Sequence, residues 1–384
     1  MSNVKIHRIS MHDTEIDLFE GQYPVENGVT YNTTVLENDE TVLVDTVDAR
    51  MKDAWLAELL RTLDGRRPDA LVISHMEPDH SGSLVAVCAL YPDMKLVGNA
   101  KTFAMMDQFT AETPVANPRV TVKDGDTFTF GDASLRFIFA PIVHWPEVML
   151  CYLPETKTLF AADAFGRFGS ADPADPWTDE GRRYYTNIVG KYGQQVKAVL
   201  AKAKGIEIET VCPLHGPDLS GEALGRVLGL YEKWASYTPE DNGTLVAYAG
   251  FHGHTREAAE LMAKTLMALG NEVTLIDLAR TNKSYAVAAA FRHKHMVLAS
   301  TTYDAAYMPA MEQFLIAIKA KNLQGRTVGL IENGTWAPMA GKHMRAVLET
   351  MKEMEILPDV VTLRSAMTAK NREEIAHLAE ALVR

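Results

Sequence analysis

The chain has few cysteines and no long apolar run, and each shortage excludes a class of protein. Its 384 residues include three cysteines, Cys88, Cys151 and Cys212. These are too few and too scattered for a disulfide framework or for the paired motifs of iron–sulfur proteins. No apolar run approaches the roughly 20 residues that a membrane helix requires. The segment Met1–Lys5 begins a strand-like pattern and contains no apolar signal region. We therefore expect a cytoplasmic protein with no membrane association.

Positive charge is scarce as well. The chain has 38 Lys+Arg against 50 Asp+Glu, a net charge of −12, which argues against a nucleic-acid partner. The length predicts two or three domains, each able to bury its own core. A polar, turn-forming stretch at 236–243 follows a helix-like segment around Leu224–Trp234. We place the boundary there and predict domains at 1–242 and 243–384.

Potential metal ligands are concentrated in the stretch His75-Met76-Glu77-Pro78-Asp79-His80. It follows the apolar run Ala70–Ile73, so we expect it on a loop at the carboxyl end of a buried strand, where α/β proteins place their chemistry. The alternative is a polar loop that contains two histidines. The density of ligand-type side chains favours a metal, because two neighbouring carboxylates facing one site would repel each other without a cation.

Three further ligand-type residues follow apolar segments elsewhere in the chain. His144 follows residues 137–143, Asp163 follows the predicted strand 158–162, and His215 lies in the segment 211–216. Alone, each is more typical of a satisfied core or loop residue. Together with the first cluster they give four histidines and three carboxylates, enough for two metals with one bridging carboxylate. Nitrogen and oxygen ligands without thiolates suit iron, manganese or zinc.

Beyond residue 243 the pattern changes to alternating strands and helices. We predict strands at Thr244–Ala249, Glu272–Leu278, His295–Ser300, Thr327–Glu332 and Val360–Leu363. We predict helices at 255–269, 284–292, 309–320, 340–354 and 372–383. Five strands alternating with helices indicate a doubly wound parallel sheet, for which we expect the flavodoxin strand order.

At this point the chain resembles a known family. Residues 1–242 resemble a metallo-β-lactamase-type domain, whose pattern is His-x-His-x-Asp-His, with Glu77 in place of the second histidine. That exchange is typical of the flavodiiron proteins, also called A-type flavoproteins. The resemblance implies an α/β fold: an N-terminal metallo-β-lactamase-like αβ/βα sandwich, then a flavodoxin-like, doubly wound five-stranded parallel sheet. It also implies two iron ions, with the following ligands: His75, Glu77 and His144 for one, Asp79, His80 and His215 for the other, and Asp163 as the bridge.

The same resemblance implies that three loops at strand ends hold flavin mononucleotide (FMN). The first loop departs from the flavodoxin pattern, because Ala249 and Gly250 offer no hydroxyl. Part of the phosphate contact would then come from backbone amides or from His252 and His254. Tyr303 and Trp336 supply flat apolar faces for the flavin ring, or alternatively pack against neighbouring loops. The candidate FMN-binding residues are Gly250, Phe251, His252, Gly253, His254, Thr255, Thr301, Thr302, Tyr303, Asp304, Asn333, Gly334, Thr335 and Trp336.

The implied activity is reduction of dioxygen to water, of nitric oxide to nitrous oxide, or of both, at a diiron site refilled by the flavin. The alternatives are a dimetal hydrolase of the metallo-β-lactamase superfamily and an electron carrier or binding protein with a degenerate metal site. Glu77 and the flavin loops argue against the hydrolase, because hydrolysis needs neither. The seven ligand-type residues argue against the electron carrier.

The expected partners also follow from the resemblance. The electron donor would be rubredoxin or a reduced deazaflavin coenzyme, and we expect it to be a separate molecule, because the three scattered cysteines lack the paired motifs of a rubredoxin module. Residues 243–384 carry 16 Lys+Arg and 14 Asp+Glu. This balance is less negative than that of residues 1–242. An acidic electron donor would explain the difference, and so would ordinary variation in surface charge. We expect a head-to-tail homodimer, or a dimer of dimers, in which the flavin of one subunit faces the diiron site of the other.

Overall fold

The structure is a computed structural model that describes residues 4–384. The start of the predicted strand-like segment at residues 1–3 lies outside the described residues. The chain divides into two compact units. The first contains Met1–Tyr185 and Gln194–Gly229, and the second contains Thr186–Gly193 and Leu230–Arg384. The domain boundary at residue 242 stays a prediction.

The first unit contains two mixed sheets. Its strands are β1 (Lys5–Asp13), β2 (Leu18–Phe19), β3 (Tyr23–Pro24), β4 (Val29–Glu37), β5 (Thr41–Val44), β6 (Ala70–Val72), β7 (Lys95–Gly98), β8 (Arg119–Thr121), β9 (Thr127–Phe130), β10 (Ala133–Phe139), β11 (Met149–Leu153), β12 (Thr158–Phe160), β13 (Thr210–Cys212) and β14 (Leu219–Ser220). One sheet has the order β1-β4-β5-β6-β7-β8 and the other β14-β13-β12-β11-β10-β9, while β2 and β3 form a separate hairpin.

The two sheets pack face to face. Their shared core joins Val44 and Val72 of the first sheet to Phe137, Met149 and Phe160 of the second. In the first sheet β5, β6 and β7 are parallel, and in the second β12 and β13 are parallel. Parallel neighbours place their carboxyl ends at one edge of a sheet, which is where the candidate ligands follow.

Helices flank the sheets. They are α1 (Lys52–Leu63), α2 (Pro78–Ser81), α3 (Leu84–Leu90), α4 (Ala100–Phe109), α5 (Thr178–Tyr184), α6 (Gly193–Ala203) and α7 (Gly221–Ala235). Two 3₁₀ turns, Ala49–Met51 and Gly190–Tyr192, and a π-helical turn, Tyr185–Val189, complete this part of the chain. The part of the chain between residues 4 and 384 contains no helix long and apolar enough to cross a membrane.

The second unit is built on a parallel sheet with helices on both faces. Its strands are β15 (Asp241–Ala249), β16 (Val273–Asp277), β17 (His293–Tyr303), β18 (Ala306–Tyr307), β19 (Thr327–Asn333) and β20 (Glu355–Leu363). Five of them are parallel in the order β16-β15-β17-β19-β20, and β18 pairs with β17 antiparallel. This is the flavodoxin order that the sequence predicts.

The helices of the second unit are α8 (His254–Ala268), α9 (Lys283–Arg292), α10 (Pro309–Ala320), α11 (Ala340–Leu348) and α12 (Ala369–Leu382). Helices α9, α10 and α11 contribute to the core on one face of the sheet, and α8 and α12 to the core on the other. Helix α11 ends at Leu348, so its predicted extension to residue 354 is wrong. Strand β20 begins at Glu355, five residues before its predicted start.

Candidate functional site

Three of the predicted metal ligands stand at equivalent positions after parallel strands of the first unit. His75 lies three residues beyond the end of β6, Asp163 three beyond β12 and His215 three beyond β13. Strand β6 belongs to one sheet and strands β12 and β13 belong to the other. The site therefore forms where the carboxyl ends of both sheets meet.

Asp79 and His80 lie on the short helix α2, so the expectation that the whole first cluster is a loop is wrong for these two residues. Glu77 stands at the N-cap with an extended backbone, and Pro78 is the first helical residue. Proline favours this position, because its fixed φ suits the helix and its missing N–H is not needed there. The helix directs Asp79 and His80 to one group of ligands, while His75 and Glu77 reach another.

His144 does not directly follow a strand, because β10 ends at Phe139. A closed loop carries it instead. The Ala140 N–H donates to the carbonyl of Val148 at 2.9 Å, and the Ile142 N–H donates to that of Trp145 at 2.8 Å. The predicted apolar run 137–143 is therefore half strand and half loop, and the loop delivers His144 to the other ligands.

The seven predicted ligands converge in two groups. In the first, His144 Nε2 lies 3.0 Å from both Glu77 Oε2 and Asp163 Oδ2, and His75 Nε2 lies 3.2 Å from Glu77 Oε2. In the second, His80 Nε2 lies 3.0 Å from His215 Nε2 and 3.3 Å from Asp79 Oδ2.

Asp163 belongs to both groups through different oxygens. Its Oδ2 lies 3.0 Å from His144 Nε2 and 3.5 Å from His75 Nε2. Its Oδ1 lies 3.1 Å from His80 Nε2 and 3.6 Å from His215 Nε2. One carboxylate thus presents one oxygen to each group, which is the geometry that a bridging ligand needs.

The chemistry of this donor set fits metal cations. Both carboxylate oxygens of Asp79 and Oδ1 of Asp163 are buried with no hydrogen-bond partner, although buried carboxylates normally have several. The Nε2 atoms of His80 and His215 lie 3.0 Å apart, a spacing that a shared cation would satisfy as well as a hydrogen bond between the rings. Neighbouring ligand atoms in the two groups lie 3.0–3.6 Å apart. This spacing is expected for atoms that bind one cation at metal–ligand distances of about 2.0–2.2 Å.

Two of the histidines are oriented by partners on their other ring nitrogen. His75 Nδ1 lies 2.7 Å from Glu147 Oε1, and His215 Nδ1 lies 2.6 Å from the carbonyl oxygen of Thr30. With Nδ1 as the donor, each Nε2 keeps a free lone pair that points into the site. Sequence reasoning missed Glu147, for which the only signal is a carboxylate three residues after His144.

The strand-end segments are also held by side chains of neighbouring strands. Asp45 accepts hydrogen bonds from the N–H groups of Ser74 and His75 at 2.7 Å and 3.3 Å. The amide of Asn32 donates to the carbonyls of Pro213 and Gly216 at 3.0 Å and 2.8 Å. These bonds fix the segments before and after the ligands, and they make the site rigid.

Without metal ions, the histidines of this site would hold protons on the nitrogen atoms that face the carboxylates. Burial opposes charge here, but hydrogen bonds with His144 and His75 lower the pKa of Glu77 to about 2. Burial likewise lowers the pKa of His144, yet bonds to Asp163 and Glu77 raise it to about 9. The pKa of Asp163 falls well below its usual value, because the nearby His75 and His80 outweigh the effect of burial. Metal binding would therefore displace protons from the imidazoles.

A second candidate site lies in the second unit, at the carboxyl ends of β17 and β19. It is a cavity of about 290 Å³. Ten of the fourteen predicted FMN-binding residues line it, while Gly250, Gly253, Thr255 and Tyr303 do not. Ala305, Ala337, Met339 and Ser365 line it without having been predicted. The full lining is Phe251, His252, His254, Thr301, Thr302, Asp304, Ala305, Asn333, Gly334, Thr335, Trp336, Ala337, Met339 and Ser365.

Gly250 allows the first loop of this cavity to approach the second. A Cβ atom on Gly250 would lie 2.8 Å from Thr255 Cβ and 3.0 Å from Thr301 Oγ1. The hydroxyls of Thr255 and Thr301 are hydrogen-bonded to each other at 2.7 Å. Thr255 thus joins the two loops behind the lining, and its bond to a phosphate stays a prediction.

The cavity combines an anion site with aromatic faces. Helix α8 begins at His254, and its N-cap Gly253, with φ of +92°, provides no side-chain hydrogen bond to the first amides. Such amides attract phosphate. Trp336, which lines the cavity, is 87% exposed, so its face is available to a flat ring. Tyr303 is 45% exposed but lies outside the lining.

Two sheets packed face to face with a dimetal-type ligand set at one edge define a metallo-β-lactamase-like unit, and the second unit has the flavodoxin topology. Comparisons with known proteins agree. Residues 29–216 match the family model described as "ODP family beta lactamase". The nitric oxide reductase of Moorella thermoacetica is 29% identical over 338 residues, which cover 84% of this chain and 84% of the relative.

Solved structures show the same fold. The rubredoxin oxygen:oxidoreductase of the anaerobe Desulfovibrio gigas matches with a TM-score of 0.89 and 24% identity, covering 99% of this chain and 96% of that chain. The flavodiiron protein of Giardia intestinalis matches with a TM-score of 0.92 and 21% identity, covering 98% and 94%. The predicted fold class is confirmed. The predicted resemblance to the flavodiiron proteins is confirmed: the chain is similar in fold to proteins of that name and in sequence to nitric oxide reductases.

Proposed function

We propose that this protein is a flavodiiron oxidoreductase that reduces dioxygen to water, nitric oxide to nitrous oxide, or both. The observation that carries this proposal is Asp163, whose two oxygens face two separate ligand groups. The similar proteins support it by their names, which are nitric oxide reductase and rubredoxin oxygen:oxidoreductase.

Each side chain of the metal site has a proposed task. One iron would be held by His75, Glu77 and His144, the other by Asp79, His80 and His215, and Asp163 would bridge them. When bound, two adjacent iron ions would supply one electron each to a diatomic substrate, and a flavin would supply the electrons that restore them. The protein fixes the ligands before substrate arrives and surrounds them with buried side chains that limit the access of water.

The cavity of the second unit is proposed to bind FMN. The amides at the start of α8 suit the phosphate, with His252 and His254 beside them. Trp336 and Tyr303 would lie against the ring. Asn333 and Thr335 are each tied to Ser365, through the carbonyl at 2.9 Å and the hydroxyl at 2.7 Å, so the third loop is held in place before flavin binds.

A direct test is to purify the protein, reconstitute it with iron and count both cofactors. We expect two irons and one FMN per chain, with a yellow spectrum that dithionite bleaches and air restores. Anaerobic stopped-flow mixing of the reduced protein with dioxygen or nitric oxide would rank the substrates. A preparation that binds only zinc and still reduces either gas at full rate would overturn the proposal.

The dimetal hydrolase is not favoured as a second function. Hydrolysis at two metals needs a metal-bound hydroxide and no flavin, whereas a cavity with aromatic faces and a free helix N-terminus lies in the second unit. A colourless protein that cleaves thioesters, lactams or phosphodiesters would support the hydrolase.

The external electron donor is proposed to be rubredoxin or a reduced deazaflavin coenzyme. Mixing the protein with each reduced donor and following flavin reduction would distinguish them. A cytoplasmic location is also proposed. It is consistent with three free, buried cysteines, which a reducing compartment would maintain.

We also propose the head-to-tail homodimer, with a dimer of dimers as the larger form. It is supported by the exposure of Trp336, since an aromatic side chain 87% open to solvent suits an interface. A chain that loses both irons (Asp163→Ala) and a chain with impaired flavin binding (Gly250→Val with Trp336→Ala) should form active heterodimers, because each heterodimer keeps one flavin facing one intact diiron site. Verified heterodimers without activity would contradict transfer between subunits.

A further inference from the structure

Glu147 is a buried carboxylate with an unusual set of partners. Its side chain is fully buried. Oε1 accepts hydrogen bonds from His75 Nδ1 at 2.7 Å and from the Met76 N–H at 2.9 Å, while Oε2 has no partner. His75 is its sole ion-pair partner in the described part of the chain. A positive charge that offsets this carboxylate must therefore lie on His75 itself or on a cation bound to His75.

The histidines of the second metal position have no such partner. His215 Nδ1 contacts a neutral carbonyl oxygen, that of Thr30. His80 Nδ1 is buried and has no hydrogen-bond partner among residues 4–384. Either partner behind a ligand histidine fixes its tautomer and raises its basicity, but only a carboxylate adds a full negative charge that also attracts the cation.

We propose that Glu147 is a positioning residue that makes the two metal positions unequal, by acting through His75 to strengthen cation binding at the first position alone. This inference rests on the proposed function, because it needs a site for two metals. The carboxylate acts in two ways. It holds the His75 ring with Nε2 facing the site, and its negative charge adds to that of Glu77 and Asp163 in surroundings where water screens little.

The contact geometry separates these two contributions. In Glu147→Gln the amide oxygen can still accept from His75 Nδ1 and from the Met76 N–H, so orientation is kept and charge is lost. Glu147→Ala loses both. Replacing a partner behind a metal ligand typically costs about 10–100-fold in affinity. We expect about a tenfold loss at the first position for the glutamine variant and up to about 100-fold for the alanine variant.

The test measures Co²⁺ binding to the metal-free full-length protein by titration of its visible absorption, which requires neither iron nor turnover. Each Glu147 variant is made in two backgrounds. His215→Ala disables the second position and reports on the first, and His144→Ala disables the first and reports on the second. Glu332→Gln is the matched control, because Glu332 is also a largely buried carboxylate but accepts from Gly341 and Thr362 in the other unit.

The inference requires weaker Co²⁺ binding in the His215→Ala background, unchanged binding in the His144→Ala background, and no effect of Glu332→Gln. Equal losses at both positions overturn it, as does a glutamine variant that binds like wild type, since orientation alone would then suffice. Thermal melting shows whether each variant is folded, and a misfolded glutamine variant leaves the decision to Glu147→Ala in the same backgrounds. A wild-type chain that binds fewer than two cobalt ions overturns the proposed function as well.

Discussion

In the metal-free protein, His144 should make stability fall as the pH rises from about 6.5 to 9. Burial opposes its charge, but bonds to Asp163 and Glu77 raise the pKa of His144 from its usual 6.5 to about 9. The native state therefore binds this proton more tightly than the unfolded chain does. The resulting stabilisation is complete below pH 6.5 and is lost as the pH rises through about 9. A shift of this size corresponds to at most about 3 kcal/mol.

Urea unfolding of chelator-treated protein at pH 6 and pH 9.5 measures this loss. The histidines His75 and His80 also have raised pKa values, so the comparison that isolates His144 is wild type against His144→Asn. The variant should lose markedly less stability between the two pH values. Protein loaded with zinc should also lose less, because a coordinated imidazole has no proton to release. If wild type and His144→Asn show the same pH dependence, the imidazole is not charged in the metal-free site.

Three further predictions concern single substitutions. Asp163→Ala removes the oxygens that face both ligand groups, so metal analysis should show loss of both irons, more than about 100-fold in affinity, with flavin retained; two bound irons would contradict it. Gly250→Val places a side chain within 2.8 Å of Thr255 Cβ, so flavin fluorescence titration should show at least a tenfold weaker affinity, whereas Gly225→Ala, where a Cβ meets nothing within 4 Å, should not change it. Trp336→Ala should weaken flavin binding while thermal unfolding shifts by less than about 0.5 kcal/mol, because the side chain is exposed.

The candidate ligands could be picked out from the sequence because most of them lie beside strong local signals. An apolar run such as Ala70–Ile73 predicts a buried strand, and a polar residue just beyond it must lie at the sheet edge. His75, Asp163 and His215 all follow this rule at the same distance from their strands. The flavodoxin-like sheet is also predictable, because five strand segments alternate with helical segments and this alternation is typical of a doubly wound parallel sheet.

The predicted elements differ from the structure where neighbouring sequence signals favour different conformations. The run before His144 is apolar along its whole length, yet it leaves the sheet after Phe139, because Ala140 and Ile142 satisfy their N–H groups within the loop. The helix predicted at 340–354 ends at Leu348, although its sequence has no proline or glycine there. Residues 349–354 instead form a turn that includes Glu353 with a φ of +56°, a conformation that a right-handed helix does not contain, and β20 follows at Glu355.

The groups that orient the ligands could not be predicted, because their signal is in neither residue type nor spacing. His215 Nδ1 donates to the main-chain oxygen of Thr30, 185 positions earlier in the chain, and every residue has such an oxygen. Glu147 is 72 positions from His75 and is one carboxylate among 50 acidic residues. Metal ligands must be of a few residue types, whereas a partner for an imidazole N–H needs only an oxygen at the right place. The inequality between the two metal positions therefore becomes visible only when the fold brings these distant oxygens to the histidines.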